Sequence, residues 1–127
     1  IFVVEDNFEN ISILLTILRG SGAIVEIDWW AKGDNEKILS ALPLDLIILD
    51  LMLPGGRSGY DIFDEIRQIS ALDDVPIVAV SAADAPTAMR KTHEMGFNGF
   101  IQKPIDGELF PQQIKTCIDG GEVWFYH

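Results

Sequence analysis

Polar and charged residues follow several apolar runs in this sequence, and their types suit the transfer of a phosphoryl group. Asp50 ends the run LDLIILD, Glu5 and Asp6 follow the first run, Ser81 follows VPIVAV, and Lys103 follows GFIQ. A carboxylate can attack phosphorus, while a metal ion, an ammonium group and a hydroxyl bind or neutralise the phosphoryl oxygens. In that arrangement Asp50 is the predicted nucleophile and forms an acyl phosphate.

Three carboxylates at neighbouring strand ends would need a compensating positive charge. If the first and third strands are neighbours, Glu5, Asp6 and Asp50 converge on one pocket, and two charges about 5 Å apart repel by roughly 3 kcal/mol at an effective dielectric near 20. The predicted cofactor is Mg²⁺ or Mn²⁺, because these ions take oxygen ligands and no Cys or His is nearby to favour zinc. Lys103 supplies a second compensating charge.

Each of these residues also has an ordinary explanation when it is taken alone. Asp50 could form a turn, Ser81 could cap the helix that follows it, and Lys103 could be a solvated charge. Carboxylates at two strand ends, a hydroxyl at a third and a lysine at a fourth are hard to explain as separate caps. The combination therefore favours a functional site.

The elements that must position these residues alternate along the chain. Short runs rich in β-branched residues predict strands at Ile1–Val4, Ala23–Ile27, Leu44–Leu49, Val75–Val80 and, more weakly, Phe97–Gln102. Segments with helical periodicity lie at about 8–19, 34–42, 59–71, 85–95 and 106–119. Nearly continuous apolar strands indicate a parallel sheet with helices on both faces, so the pattern predicts an α/β, doubly wound (βα)5 fold. Ligands of such sheets bind beyond the carboxyl ends of the strands.

Length and charge restrict the classes of protein that fit. The 127 residues predict one domain over 1–127, with 119–127 as a possible C-terminal tail or start of a linker. A formal net charge of −11 argues against direct binding of nucleic acid. No apolar run reaches the roughly 20 residues of a membrane span, and a single cysteine suits a reducing compartment, so we expect a soluble cytoplasmic protein.

Four motifs, in order, resemble those of the receiver domain of two-component response regulators. They are VVEDN for the acidic corner, LIILDLMLPG for the phosphoacceptor strand and loop, IVAVSA for the hydroxyl strand and GFIQKPI for the lysine-proline strand. The resemblance spans essentially the whole chain. It implies a flavodoxin-like three-layer sandwich with a parallel five-stranded sheet of order 2-1-3-4-5, and a signalling phosphoacceptor that catalyses only its own phosphorylation and dephosphorylation.

The resemblance also implies roles for individual residues at the pocket. A histidine kinase or histidine phosphotransfer protein would phosphorylate Asp50, and Glu5, Asp6, Asp50 and the backbone carbonyl of Met52 would hold Mg²⁺. The Lys103–Pro104 peptide bond would be cis.

Signal output would use a second set of residues, again by resemblance. Ser81 and the aromatic Phe100, three residues before Lys103, would form the switch, and the face made by the fourth helix, fifth strand and fifth helix would carry the output. A homodimer through that face is possible. Dimerising DNA-binding members often have an acidic pair before the aromatic residue, whereas this chain has FNGF, which weakens that expectation.

Several residues depart from the motifs or suggest a partner surface. Gly59 falls one residue later than usual, so we expect a bulged loop and hypothesise that Arg57 lies near the pocket mouth and controls access to the acyl phosphate. Ile13 and Ile17 lie opposite the apolar face of the first helix and are candidates for docking the phosphodonor. Trp29, Trp30 and the VWFY segment at 123–126 have no assigned role, and His93 is expected to be solvated.

Competing classes fit the same residues less well. A Rossmann-type nucleotide binder needs a phosphate loop after the first strand, where EDNFEN would repel phosphate. A phosphatase of the haloacid dehalogenase type would have an aspartate two residues after the first, where this chain has Met52. The alternative that stays open is a pseudo-receiver, a protein-interaction module with this fold that is not phosphorylated.

Overall fold

A computed structural model describes residues 1–28 and 35–127, which fold into a parallel sheet with helices on both faces. The strands among these residues are β1 Phe2–Val4, β2 Glu26–Asp28, β3 Ile47–Leu49, β4 Ile77–Ser81, β5 Gly99–Gln102 and β6 Val123–Phe125. The helices are α1 Phe8–Gly20, α2 Asn35–Ser40, α3 Gly59–Arg67, α4 Ala85–Met95 and α5 Phe110–Ile118, with a 3-10 turn at Ser70–Leu72. Trp29 and Trp30 lie outside the described residues.

The sheet has the order β2-β1-β3-β4-β5-β6, and every neighbouring pair of strands is parallel. The doubly wound, flavodoxin-like fold and the order of the first five strands are confirmed. The sheet has six strands and not the five that were predicted, because residues 123–125 form β6 beside β5. The chain reverses after α5 at Gly120, whose φ of 95° is one that glycine adopts readily.

Two apolar layers hold the helices against the sheet. The layer on one face contains the buried residues of α1 and α5, namely Ile11, Leu14, Leu18, Phe110, Ile114 and Cys117. The layer on the other face contains those of α2, α3 and α4, namely Ile38, Ile62, Phe63, Ile66, Ala85 and Ala88. The central strands are buried on both sides, which explains their continuous apolar sequences.

Helix starts show which polar residues act as caps. Asp84 caps α4 by accepting the amide hydrogen of Thr87, so Ser81 does not serve as the cap of that helix. Asp106 accepts the amides of Glu108 and Leu109, but it stabilises a turn, and α5 begins only at Phe110. No helix in the described part of the chain is long and apolar enough to cross a membrane.

The strand register sets the positions of the residues that follow each strand. Val4 of β1 is level with Leu49 of β3, and the amide of Asp50 donates to the carbonyl of Val4 at 3.1 Å. On the far side of β4, the amide of Lys103 donates to the carbonyl of Ser81 at 2.9 Å. These pairings carry polar residues to one edge of the sheet.

Candidate functional site

Three carboxylates meet at the carboxyl ends of β1 and β3. Each of Glu5, Asp6 and Asp50 offers an oxygen, and the three oxygens lie within 4.8 Å of one another. Glu5 and Asp50 are buried, with 2% and 6% of their surface exposed, whereas Asp6 faces solvent. An oxygen-only donor set with one open side fits a hard divalent cation such as Mg²⁺ or Mn²⁺.

Backbone amides fix the two buried carboxylates. The amide of Asn7 donates to Glu5 Oε1 at 3.0 Å, and the amide of Met52 donates to Asp50 Oδ1 at 3.1 Å. In both cases the donor lies two residues beyond the acid, so the turn after each strand orients the acid's side chain. The second contact also brings the backbone of Met52 next to Asp50, while the side chain of Met52 is exposed.

Lys103 joins the two buried acids. Its Nζ lies 2.7 Å from Glu5 Oε2 and 3.0 Å from Asp50 Oδ2, and its side chain is only 13% exposed. Burial alone would lower the pKa of Lys103, but the hydrogen bond to Glu5 and the charges of Asp50 and Glu5 outweigh it, so the pKa is raised. The ammonium group therefore stays charged beside Asp50.

Burial raises the pKa of Glu5, whereas it acts to lower that of Lys103. Desolvation raises the pKa of its carboxyl, and the neighbouring charge of Asp50 raises it further, while the hydrogen bonds from Lys103 and Asn7 oppose the shift. The net direction is upward. Among the described residues, three carboxylates lie together and Lys103 bridges two of them, an excess of negative charge that is expected of a cation site.

Ser81, the last residue of β4, and Phe100, the second residue of β5, are fully buried. The hydroxyl oxygen of Ser81 accepts the amide of Ala83 at 3.2 Å, and its carbonyl accepts the amide of Lys103. Phe100 is level with Ala79 of β4 and belongs to the core layer that contains α3 and α4. Ser81 is thus tied to Lys103 through the backbone, and the ring of Phe100 points into the core.

The loop after Asp50 absorbs its extra residue at two glycines. Gly55 and Gly56 have φ values of 81° and 78°, in the left-handed region that other residues rarely adopt. The next residues form a tight helix start, in which Ser58 and Asp61 make a capping box. Arg57 forms an ion pair with Glu65 of α3, a contact that holds it to the helix at the edge of the loop.

Gly59 has a positioning role that sequence reasoning missed. A Cβ at this position would lie 2.1 Å from the carbonyl oxygen of Asp50 and 2.8 Å from Cα of Leu51. The start of α3 therefore packs directly on the backbone that carries the phosphoacceptor candidate. A glycine directly after the capping serine was the available signal, but the close approach depends on tertiary packing.

One side of the pocket is apolar. Ile13 of α1 is 47% exposed, whereas Ile17 is partly buried against the core, contrary to the expectation that both are exposed. A small cleft of about 80 Å³ lies between α1 and the turn after β5, lined by Ile13, Lys103 and Ile105 among others. The Lys103–Pro104 peptide bond in this turn is cis.

The fold and the pocket together define a doubly wound α/β domain with an acidic site at the carboxyl ends of its strands. Over residues 1–115 the sequence matches the family described as the response regulator receiver domain, and the chain belongs to that family. It is therefore a receiver domain of two-component signalling, and the pseudo-receiver alternative is not favoured.

Individual relatives show the contexts in which similar chains occur. The two-component response regulator ARR17 of Arabidopsis thaliana is 26% identical over 92% of this chain and 85% of its own length. The hybrid signal transduction histidine kinase I of Dictyostelium discoideum is 30% identical over 93% of this chain but only 7% of its own. Among solved structures, the signal receiver domain of a signal transduction histidine kinase from Syntrophus aciditrophicus has a TM-score of 0.78 and 25% identity, and the match covers 94% of this chain and 89% of that one.

Proposed function

We propose that Asp50 accepts a phosphoryl group from the phosphohistidine of a histidine kinase or a histidine phosphotransfer protein. A carboxylate oxygen of Asp50 forms the new bond to phosphorus, the bond from phosphorus to the histidine nitrogen breaks, and that nitrogen takes up a proton. The observation that carries the proposal is the placement of Asp50 between the charged Lys103 and the carboxylates of Glu5 and Asp6. Receiver domains as a family act as phosphoacceptors in this kind of signalling.

Lys103 and the backbone keep Asp50 ready for this step. The amide of Met52 holds one carboxylate oxygen and Lys103 Nζ holds the other, so the acid is oriented before the donor arrives. Lys103 also neutralises charge that builds on the phosphoryl oxygens. We assign the hydroxyl of Ser81 to a hydrogen bond with one of those oxygens, because β4 ends beside the pocket and its hydroxyl is buried there.

Glu5, Asp6, Asp50 and the carbonyl of Met52 would hold Mg²⁺ or Mn²⁺. The donor set supports this assignment, since carboxylate oxygens that follow two strands approach within 4.8 Å of one another, with Lys103 bridging two of the acids. When bound, the cation supplies further charge neutralisation for phosphoryl transfer. The burial of Glu5 makes it the more rigid ligand, and the exposure of Asp6 leaves room for water on the cation.

Ser81 and Phe100 are assigned to the switch that reports phosphorylation. They lie on neighbouring strands, both are fully buried, and the backbone of Ser81 is bonded to Lys103. A shift of Ser81 towards a phosphoryl group would change the packing around Phe100. The result is a change in population at the face formed by α4, β5 and α5.

The phosphodonor is proposed to dock on the apolar side of the pocket. Ile13 is exposed beside the cleft next to Lys103, and the partly buried Ile17 lies further along the same helix. Arg57, on the loop after β3, would modulate access of water or donor to the acyl phosphate from the other side. We also propose a homodimer through α4, β5 and α5. A cytoplasmic location is proposed as well, because it suits a partner kinase of this kind.

The direct test is a phosphorylation assay. The protein is incubated with acetyl phosphate and Mg²⁺, and intact mass spectrometry detects the gain of one phosphoryl group. Asp50→Asn should abolish the gain. A matched control is Asp28→Asn, which changes another buried aspartate, at the end of β2, and should leave the gain intact.

Two results would overturn the proposal. One is the absence of any phosphoryl gain in the wild-type protein, which would favour a module that works by protein contact alone. The other is a full gain in Asp50→Asn. The docking surface is tested separately with Ile13→Glu, and Ser12→Glu is the control because Ser12 is an exposed neighbour. Ile13→Glu should slow phosphoryl transfer from a kinase, whereas Ser12→Glu should not. Neither variant should change the rate of phosphorylation by acetyl phosphate.

A further inference from the structure

Strand β6 pairs with β5, and Lys103 directly follows β5. Its residues pair in parallel register, with Gly99 level with Val123, Phe100 with Trp124 and Ile101 with Phe125. The backbones of the two strands approach each other so closely at Gly99 that a Cβ there would lie 2.5 Å from the carbonyl oxygen of Val123. The sequence of β5 is thus matched to a strand lying against it.

Side chains of this segment reach the core layer next to the switch. Trp124 is partly buried against the layer that contains Phe100, and its ring lies 5.1 Å from that of His93 on α4. The strand has only three residues, all of intermediate exposure. Short peripheral strands of this kind open at lower free energy than the core, so β6 can detach while the rest of the sheet stays folded.

The end of the segment is tied to the residues on both sides of Lys103. The amide of His127 donates to Gln102 Oε1 at 3.0 Å, and His127 Nε2 lies 2.7 Å from the carbonyl oxygen of Pro104. Between these two anchors, Lys103 bridges Glu5 and Asp50. One short stretch of backbone therefore carries both the site lysine and the attachment of the C-terminal segment.

We propose that residues 123–127 form a C-terminal strap whose docking on β5 is coupled to the organisation of the Asp50 site through Gln102, Lys103 and Pro104. The docked strap holds the backbone at 102–104 and so keeps Lys103 aligned with Asp50. An acyl phosphate carries more negative charge than the carboxylate it replaces and binds Lys103 more firmly. Because coupling between two equilibria is reciprocal, phosphorylation tightens the strap, and the docked strap favours the phosphorylated state. The docked strap also speeds phosphorylation, because it keeps Lys103 in position beside Asp50. The trigger, though not the coupling itself, rests on the proposed function.

Hydrogen exchange measured by mass spectrometry tests the first direction. Peptides covering the strap should exchange about fivefold more slowly after treatment with acetyl phosphate and Mg²⁺, and about fivefold faster in Lys103→Met, in keeping with typical coupling between sites. Peptides from α1 serve as the reference and should not change. The Lys103→Met arm needs no phosphorylation, so it decides the coupling even if wild-type protein gains no phosphoryl group.

Variants of the strap test the other direction. His127→Ala removes the contact between the imidazole and the carbonyl of Pro104, and Gly99→Ala displaces β6 from β5. Both should therefore lower the initial rate of phosphorylation by acetyl phosphate about fivefold. Tyr126→Ala is the matched control, because Tyr126 lies in the same segment and is exposed. Thermal unfolding verifies that each variant is folded.

The outcomes separate the two claims. Unchanged strap exchange in Lys103→Met overturns the coupling, as do wild-type phosphorylation rates in both His127→Ala and Gly99→Ala. A strap that responds to Lys103→Met in a protein that gains no phosphoryl group retains the coupling and rejects the phosphoacceptor role of Asp50.

Discussion

Replacing Gly59 with alanine should damage both the stability of the domain and the site. The added Cβ would lie 2.1 Å from the carbonyl oxygen of Asp50, 2.8 Å from Cα of Leu51 and 2.9 Å from the carbonyl carbon of Asp50. All three atoms belong to the backbone, so no side chain can rotate away to relieve the contact. Either α3 or the loop after β3 must move.

The size of the effect follows from that geometry. Forcing one extra carbon into a packed position commonly costs about 1–3 kcal/mol, and the absence of a flexible neighbour places Gly59→Ala at the upper end. A loss of about 3 kcal/mol corresponds to a drop in Tm of roughly 11 °C for a domain of this length. The same movement shifts the amide of Met52 away from Asp50, so phosphorylation by acetyl phosphate should slow as well.

Calorimetry and the intact-mass assay measure the two effects, and Gly20→Ala is the control. Gly20 ends α1, and a Cβ there meets nothing within 4 Å, so alanine should leave Tm unchanged or raise it slightly. A Gly59→Ala protein with the Tm and phosphorylation rate of wild type would refute the packing argument. A lowered Tm with an unchanged rate would refute its extension to Asp50.

Three further predictions concern a cap, a thiol and the cation. Ser58→Ala removes the capping box with Asp61 and should cost about 1 kcal/mol in urea unfolding, whereas an unchanged midpoint would show that the cap contributes nothing. Burial raises the pKa of Cys117 to about 11, so at pH 8 its alkylation should be roughly two hundred times slower in the folded than in the unfolded protein. The stability that comes from keeping this thiol neutral is full below about pH 8.5 and is lost as the pH rises towards 11. Equal alkylation rates in the two states would contradict this prediction. Mg²⁺ at a hundred times its Kd should stabilise the fold by about 2.7 kcal/mol, and EDTA should reverse this gain. The Asp6→Asn variant should need a higher Mg²⁺ concentration for the same shift in Tm. If the Tm of the variant depends on Mg²⁺ concentration as that of wild type does, Asp6 is not a ligand.

The positions of the polar site residues could be predicted from the sequence, because these residues lie at or just after the ends of strands. The apolar runs that became β1 and β3 stop at Glu5 and Asp50, and the parallel register carries those acids to the same edge. Lys103 could be expected there for the same reason. Parallel strands and short turns leave few other places for residues directly after a strand, so topology alone brings the group together.

Other features depend on contacts that no local pattern encodes. β6 has only three residues and pairs with a strand that lies twenty-odd residues earlier, beyond a helix and a turn. The ion pair between Arg57 and Glu65 could not be predicted from the sequence, because it depends on where α3 starts. Ile17 sits on the polar side of α1 by periodicity, yet the turn before α5 covers it, since a Cβ on Gly107 would lie 3.8 Å from its Cδ1.

The FNGF stretch explains both the missing acidic pair and the sixth strand. Asn98 accepts the amide of Ile77 with its side chain and the amide of Val123 with its carbonyl, so it connects β4 to β6 across the start of β5. An acidic residue in place of Gly99 would set its Cβ 2.5 Å from the backbone of Val123 and exclude β6. The residue that would mark a dimerising face is therefore incompatible with the docked strap. Because β6 already occupies the free edge of β5, a homodimer that uses this edge must first displace the strap, and the coupling to Lys103 makes that displacement depend on the state of Asp50.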